Sequence, residues 1–196
     1  EDMYGVDAAI LMNPKVWEAS GHTGAGFCDP LVEDTETGDR YRADHLLKDH
    51  GVDADGLSLA DVDAAIAEHG VVSPQGNPLS PARQFNLMFE TAIGATAGPD
   101  GKVYLRPETA QGIFTNFKNV LDSMSPKLPF GIAQIGKAFR NEIAPREWLF
   151  RVREFEQMEI EYFVKEAEWE QHFETWRQLL WDWFDHCGLS REHVRE

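Results

Sequence analysis

Cysteine is scarce in this sequence, and its two cysteines, Cys28 and Cys187, are isolated from each other. Because there is no Cys-x-x-Cys pair, the sequence predicts no disulfide framework, which fits a reducing cytosol. No window approaches about 18 uncharged apolar residues, so we expect no membrane-spanning helix. The first residues also lack the basic and apolar segments of a secretory signal. These absences predict a cytoplasmic protein with no membrane partner.

Basic residues are also few: 18 Lys and Arg stand against 34 Asp and Glu, which gives a formal net charge of -16. Broad, nonspecific binding of nucleic acid by this segment is therefore not expected, since such binding depends on neutralising phosphates. Between residues 101 and 153, however, nine bases face four acids. A basic segment in an otherwise acidic chain is a candidate binding site for an anion. The alternative is that these basic residues cluster by chance on a solvated surface.

Motifs of several enzyme classes are missing. The chain has neither the Gly-x-Ser-x-Gly turn of nucleophilic hydrolases nor the Gly-x-x-x-x-Gly-Lys-[Ser/Thr] loop of P-loop enzymes. The spacing of His22, Cys28 and His45 matches no zinc pattern. Residues 53–56 resemble part of a calcium loop but lack its later ligands, so they predict a turn. No residue is assigned as a metal ligand.

The length of 196 residues fits one domain, or one domain with a small insertion. Aromatic residues form 11% of the chain, which supplies enough apolar surface for a core and argues against disorder. Because the chain does not begin with Met, we expect a piece of something longer. We divide it into an N-terminal part of the main domain (1–48), a peripheral insertion (49–82), the core of that domain (83–164) and the helical start of a further insertion (165–196).

Hydrophobic periodicity predicts four helices: near 43–48, over 59–69 after a Ser58 N-cap, over 109–123, and over 166–187. Strands are predicted at 84–93 and 103–105, with a turn at 98–101 between them. Two apolar stripes predict packing surfaces, the first in the core and the second in the core or at an interface. Their members are Ile113, Phe114, Phe117, Val120, Leu121 and Met124, and Trp169, Phe173, Trp176, Leu180 and Trp183.

The most informative stretch reads as an antiparallel hairpin, with strands at 130–142 and 150–164 and a seven-residue linker at 143–149 that contains Pro145. Since side chains alternate along a strand, the hairpin has one charged and one apolar face. The charged face carries Gln134, Gly136, Ala138, Arg140 and Glu142 with Arg151, Arg153, Phe155, Gln157, Glu159 and Glu161. The other face carries Ile135, Lys137 and Phe139 with Val152, Met158, Ile160, Tyr162 and Val164.

The charged face suits a nucleoside triphosphate together with an amine. Arginine presents a planar, permanently charged fork to phosphate oxygens. An aromatic ring can stack on a base for about 1–3 kcal/mol, and carboxylates can hold an ammonium group or Mg²⁺. The alternative is an exposed sheet face with cross-strand ion pairs, which contribute about 0–1 kcal/mol each and need no function.

Residues 136–142 (GKAFRNE) and 150–159 (FRVREFEQME) resemble motif 2 of the class II aminoacyl-tRNA synthetases. Three more blocks, 12–22 (MNPKVWEASGH), 40–46 (RYRADHL) and 104–114 (YLRPETAQGIF), look like the dimeric (α2) glycyl-tRNA synthetases. A bare Arg-x-Glu would be a weak signal, whereas these blocks in this order are a strong one. The resemblance covers nearly the whole chain except 49–82.

The resemblance implies an α+β fold, with an antiparallel sheet flanked by helices, that forms part of a class II catalytic domain. It implies a ligase that uses ATP and Mg²⁺ to activate glycine as glycyl-adenylate and then transfers the glycyl group to tRNA(Gly). The parent protein is expected to form a homodimer. A noncatalytic class II-like module that binds a nucleotide or an amino acid is the alternative. Motif 3 and an anticodon-binding domain are absent from the sequence, so we expect an incomplete catalytic domain.

The family motif also implies roles for individual residues. Arg140 and Glu142 are expected to be catalytic: Arg140 would hold the α-phosphate, and Glu142 would lie near the adenine or its bound metal. Phe155 would stack on the adenine, and Glu108 and Glu159 would contact the glycine ammonium group. The implied ATP-binding set is Arg140, Asn141, Glu142, Phe150, Arg151, Val152, Arg153, Glu154 and Phe155. The implied glycine-binding set is Arg42, Glu108, Phe155, Glu156, Gln157, Met158 and Glu159.

Overall fold

Three three-stranded sheets organise residues 2–95 and 101–195, which are the residues that the computed structural model describes. The strands in chain order are β1 (Met3–Gly5), β2 (Leu11–Met12), β3 (Cys28–Glu33), β4 (Arg40–Arg42), β5 (Arg83–Asn86), β6 (Glu90–Ala92), β7 (Lys102–Leu105), β8 (Phe130–Phe139) and β9 (Glu154–Phe163). They pair in the orders β1-β8-β9, β2-β7-β6 and β4-β3-β5. Only the β1–β8 pair of these sheets is parallel, so the predicted antiparallel character is confirmed for the rest.

Five α-helices flank these sheets in the described part of the chain: α1 (Pro14–Ala19), α2 (Ala43–Asp49), α3 (Leu59–Glu68), α4 (Ala110–Met124) and α5 (Trp169–His186). Helix α3 begins as predicted, because the Ser58 hydroxyl accepts the Asp61 amide. Helix α4 ends where Ser125 adopts a left-handed conformation. At the start of the last predicted helix, Glu166–Glu168 form a 3₁₀ turn before α5 begins.

The predicted single strand at 84–93 is wrong, because the chain changes sheets in the middle of it. Strand β5 pairs with β3, whereas β6 pairs with β7. Between them the Asn86 side chain accepts the Met88 amide, and the Leu87 carbonyl accepts the Asn141 amide. With these bonds the backbone leaves the ladder between β3 and β5. Of the turn predicted at 98–101, residues 98–100 lie outside the described residues.

The predicted hairpin is confirmed, but its strands are shorter and its connection is longer than expected. The ladder runs from the Phe139–Glu154 pair to the Phe130–Phe163 pair, and residues 140–153 connect the strands. Within this connection the Asn141 amide donates to the carbonyl of Leu87, which lies between β5 and β6, and Glu147 and Trp148 adopt left-handed conformations. The prediction of a seven-residue linker is therefore wrong, because the connection is twice as long. Within it, Arg146 and Arg151 form an isolated β-bridge.

The two faces of the hairpin are grouped as predicted, but the more polar one is turned inward. Gln134 and Ala138 are buried on it, whereas Ile135 and Met158 on the opposite face are 69% and 68% exposed. The more polar face is buried because α4 packs over it. Phe117 of α4 contacts Phe130 and Phe163 there, with ring centroids 5.9 and 4.5 Å apart.

The remaining apolar surfaces are only partly covered. On α4, Ile113 and Val120 are buried as predicted, but Phe114 and Met124 are exposed. The α5 stripe does not enter a core: Trp176 contacts Tyr162 edge-on, and the rest of the stripe remains about half exposed. The segment 49–82 packs through Ala54, Val62 and Val71 onto β3 and α2. No helix among the described residues is long and apolar enough to cross a membrane.

Candidate active site

The site is built around residues 106–109, which connect β7 to α4. The Arg106 backbone bonds to Ile10 on one side and to Phe139 at the end of β8 on the other. Its buried guanidinium donates to the carbonyls of Lys137, at 2.6 Å, and Ala8, at 2.8 Å. These bonds hold the segment between two sheets, so the side chains that follow Arg106 have a fixed position beside the hairpin.

An acidic cluster lies where α4 begins. The Thr109 hydroxyl donates to the Glu159 carboxylate at 2.6 Å, and the positive end of the α4 dipole lies nearby. Gln111 donates to Glu108 at 2.7 Å. Burial, and then the negative charges of Glu159 and Glu108, raise the pKa of Glu161. Three carboxylates therefore share this region, two of which were predicted to meet a glycine ammonium group.

Several buried amide atoms near the cluster have no hydrogen-bond partner among the described residues: the side-chain oxygens of Gln111, Gln134 and Gln157, and the nitrogen of Gln134. Gln134 lies directly across the sheet from Glu159. Buried polar atoms are normally bonded, so these three acceptor oxygens lack a donor that the described residues do not supply. An ammonium group is such a donor, with three N–H groups and no acceptor.

The basic half of the site centres on Arg140. Its guanidinium lies 5.4 Å from the ring centroid of Phe155 and 5.8 Å from that of Phe27. Its Nε donates to the carbonyl of Pro107 at 3.3 Å, which places Arg140 beside the segment that carries Glu108. The structure therefore brings Arg140 and the ring of Phe155 together, as the sequence predicted, beside the segment that carries Glu108.

The adjoining loop places the other predicted basic residues around Glu142. This carboxylate is buried, and Arg151 reaches it at 3.4 Å. Arg153 donates to the Glu142 backbone carbonyl at 3.0 Å. The Asn141 amide bonds to Leu87, so its side chain borders a depression beside β6 and β7.

Arg42 is placed on this side of the site and not among the Glu108 group. It forms ion pairs with Asp29 at 2.5 Å and with Asp44 at 2.6 Å. Burial raises the pKa of Asp29 despite the opposing charge of Arg42, and the nearby charge of Glu142 adds to the rise. The predicted contact of Arg42 with glycine stays a prediction, because its guanidinium is engaged by two carboxylates here.

Other predicted site residues point elsewhere or lie at a distance. Phe150 is 93% exposed at the loop tip, and Val152 lies between that tip and β9. Glu154, Glu156 and Met158 lie on the outer face of β9, where Lys137 reaches Glu154 at 3.5 Å and Glu156 at 3.9 Å. The structure therefore does not bring these side chains together with Arg140 and Glu159.

Two residues of the site were missed as ligand-binding candidates. Phe27 covers Arg140, and the buried His22 reaches Glu108 at 3.5 Å. Both belong to the glycine-rich segment 20–28, whose turns bring it over the hairpin. In the part of the chain that is described, no group of three or more potential metal ligands occurs, and His22, Cys28 and His45 do not form one.

Comparison with known proteins assigns the class. Residues 96–196, about half of the chain, match the tRNA synthetase class II core domain (G, H, P, S and T), and the chain belongs to this family. A solved structure of the RNA binding domain of threonyl-tRNA synthetase from Cryptosporidium parvum Iowa II has a similar fold, with a TM-score of 0.51 and 16% identity. That similarity covers 95% of this chain and 30% of the solved chain.

Among the curated proteins of this class, the chain is similar to glycine–tRNA ligases. A glycine–tRNA ligase of Geobacillus thermodenitrificans is 51% identical over 97% of this chain, which corresponds to 42% of the relative. A glycine–tRNA ligase of Staphylococcus aureus is 49% identical over 97% of this chain and 43% of the relative. The chain thus spans less than half the length of these relatives.

Proposed function

We propose that the parent protein of this chain is a glycine–tRNA ligase, and that the chain forms part of its catalytic domain. In this proposal ATP and glycine give glycyl-adenylate and pyrophosphate, and the glycyl group then passes to tRNA(Gly). Membership of the class II core-domain family and the similarity to glycine–tRNA ligases support the proposal. So does the agreement between the predicted site residues and the cluster around Arg140 and Glu159.

The observation that carries the proposal is that a guanidinium and a group of carboxylates lie at neighbouring positions of the site. Arg140 donates to the carbonyl of Pro107, the residue immediately before Glu108. One end of the site therefore offers a guanidinium between two rings, and the other offers carboxylates with orphaned amide oxygens. A molecule with an ammonium group at one end and a phosphate at the other fits this arrangement, and an aminoacyl-adenylate is such a molecule.

Arg140 would act by electrostatic stabilisation. When the glycine carboxylate attacks the α-phosphorus of ATP, a P–O bond forms, the bond to pyrophosphate breaks, and negative charge increases on the equatorial oxygens. A guanidinium already held by Phe155, Phe27 and Pro107 needs little reorganisation to stabilise that charge. The same ring of Phe155 would contact the adenine, and Arg151 and Arg153 would face the remaining phosphates.

Glycine has no side chain to recognise, so selectivity must come from its ammonium and carboxylate groups and from exclusion of larger amino acids. Glu108 and Glu159 would bind the ammonium group, since both carboxylates lie at the start of α4. The start of α4 is itself closely packed: a Cβ on Gly112 would lie 2.8 Å from the Ala8 Cβ and 2.9 Å from the Gln134 amide oxygen.

Mg²⁺ would enter with the nucleotide, because it retains several waters and binds phosphates with one or two carboxylates. The buried Glu142 is the carboxylate of the loop that suits this arrangement. We further propose that the parent protein acts in the cytoplasm as a homodimer with tRNA(Gly) as its partner. The family and its curated relatives support the tRNA partner, whereas the homodimer and the cytoplasmic location follow from the resemblance and the composition described for the sequence.

Glycine-dependent exchange of pyrophosphate into ATP by the purified parent protein tests the proposal. We expect exchange with glycine, and none above background with alanine or serine. A parent protein that is folded, by circular dichroism and cooperative thermal unfolding, yet shows no exchange with any amino acid would instead favour a noncatalytic class II-like binding module.

A further inference from the structure

His22 is a buried titratable residue that the proposed reaction leaves unused. It is 8% exposed, and its ring is packed edge-on between Trp17, at a centroid distance of 5.6 Å, and Phe27, at 4.7 Å. The Asn86 side chain also donates to the His22 backbone carbonyl. The imidazole is therefore held in one orientation, with one nitrogen towards Ser20 and the other towards Glu108.

The contacts of His22 with Ser20 and with Glu108 together indicate which imidazole nitrogen carries the proton. The Ser20 hydroxyl lies 2.8 Å from His22 Nδ1, and its other acceptor, the Trp17 carbonyl, is farther away at 3.4 Å. Both the hydroxyl and the imidazole Nδ1 can donate or accept, but the Glu108 carboxylate beside Nε2 can only accept, so the favourable tautomer carries its proton on Nε2 and accepts from Ser20 at Nδ1. With Ser20 donating to Nδ1, the proton of a neutral imidazole lies on Nε2, which faces Glu108 Oε1 at 3.5 Å.

This arrangement places two donors on one oxygen of Glu108. Gln111 Nε2 donates to Oε1 at 2.7 Å, and His22 Nε2 approaches the same atom. Both donors leave Oε2 of the carboxylate available for another partner. The His22 contact is longer than an ordinary hydrogen bond, as polar contacts at sites without substrate often are before they shorten on binding.

We propose that His22 is a positioning residue that orients the Glu108 carboxylate so that its second oxygen receives the substrate ammonium group. This inference rests on the proposed function and adds a residue to it: Ser20 fixes the imidazole, the imidazole orients Glu108, and Glu108 binds glycine. His22 itself contacts neither glycine nor ATP. Its loss should therefore weaken glycine binding while leaving ATP binding nearly unchanged.

Two matched substitutions in the parent protein test the role, because both remove the ring but differ in reach. In His22→Gln the amide nitrogen is one bond farther from Cβ and takes the place of Nε2, so it can still donate to Glu108. In His22→Asn the amide takes the place of Nδ1 and faces Ser20 only. We expect His22→Asn to raise the KM for glycine about tenfold or more, as expected for losing a hydrogen bond to a charged group. His22→Gln should stay within about threefold of wild type.

The KM for ATP is the readout that separates positioning from packing. In His22→Asn it should stay within about twofold of wild type, since the Arg140 side of the site is not altered directly. Equal increases in both KM values, or equal losses in the Asn and Gln variants, would show that the ring only fills space and would overturn the proposal. If His22→Asn does not fold, Ser20→Ala takes its place, with the same selective rise in the glycine KM expected and an unchanged KM overturning the proposal.

The outcomes also separate this inference from the function on which it rests. A wild-type parent protein with no exchange overturns the proposed function and, with it, the role of His22. A wild-type protein with glycine-dependent exchange, together with a folded His22→Asn variant whose glycine KM is unchanged, overturns the role of His22 alone.

Discussion

Replacing Arg140 by alanine should nearly abolish adenylate formation while leaving the protein folded. The structural loss is small: one bond to the Pro107 carbonyl and two contacts with the rings of Phe27 and Phe155. At about 0.5–1 kcal/mol for each contact, the substitution removes about 2 kcal/mol of stability. A domain with an ordinary stability of about 5–15 kcal/mol remains folded after such a loss.

The catalytic loss should be much larger, because Arg140 is the arginine assigned to the charge that develops on the α-phosphate. Removing a guanidinium from a phosphoryl-transfer site costs about 10³-fold or more in rate, which corresponds to about 4 kcal/mol. Arg140→Lys keeps the charge but loses the planar fork, so it should recover only part of the rate.

Glycine-dependent pyrophosphate exchange in the parent protein measures this loss, and thermal unfolding measures the folded state. Arg83→Ala is the matched control, since Arg83 is half exposed on β5 and pairs with Glu33 at the surface. We expect near-normal exchange from the control. Near-normal exchange by a folded Arg140→Ala variant would refute the assignment of Arg140 and remove it from the mechanism.

Three further tests, one of them with a control substitution, address other parts of the structure. Glu159→Gln should raise the KM for glycine more than that for ATP in the exchange assay, and equal losses would indicate a structural role only. Desolvation by burial would raise the pKa of Asp34, but hydrogen bonds, beginning with that from Ser73, outweigh it and lower the pKa to about 2. Wild type should therefore be more thermally stable than Asp34→Asn above pH 4, and this advantage should disappear as the pH falls towards 2. An advantage that persists unchanged to pH 2 would contradict this. Gly112→Ala should destabilise the protein by about 1–3 kcal/mol, whereas Gly5→Ala, which has open space around it, should be nearly neutral in the same unfolding measurement.

Local features of the fold could be predicted from the sequence because their causes are local. Helix α3 follows from the Ser58 cap, and α4 from its three-and-four spacing. The hairpin faces follow from strand alternation, which placed Phe155, Gln157 and Glu159 on one side. Each of these features depends on residues close together in the chain, so no knowledge of tertiary packing was required.

The burial of the hairpin faces depends on contacts between distant segments. Strand alternation predicts which residues share a face but not which face is covered: α4 lies over the more polar face, and Ile135 and Met158 remain exposed. The break between β5 and β6 has a similar origin, because it depends on a bond between Leu87 and Asn141, far apart in sequence. The burial of the hairpin faces has no signature within the hairpin, and the break between β5 and β6 has only the local bond between Asn86 and Met88.

The inward residues of one strand were predicted for the candidate site, its outer residues Glu154, Glu156 and Met158 were assigned there as well, and the residues of a distant loop were missed. Strand parity and the motif identified Glu159 and Phe155. Phe27 and His22 enter through a glycine-rich loop, and only the fold shows that this loop covers Arg140 and Glu108. A histidine in a loop carries no sequence signal that distinguishes a positioning residue from an ordinary core residue.

The central claim is that one small volume beside the inner face of the hairpin binds both ends of an aminoacyl-adenylate. A crystal structure of the parent protein with a non-hydrolysable glycyl-adenylate analogue tests this claim most directly. We predict its ammonium group within about 3 Å of Glu108 and Glu159, its phosphate group on Arg140, and its adenine against Phe155. An analogue bound against Ile135 and Met158 on the outer face, or one whose ammonium group contacts neither glutamate, would contradict the claim.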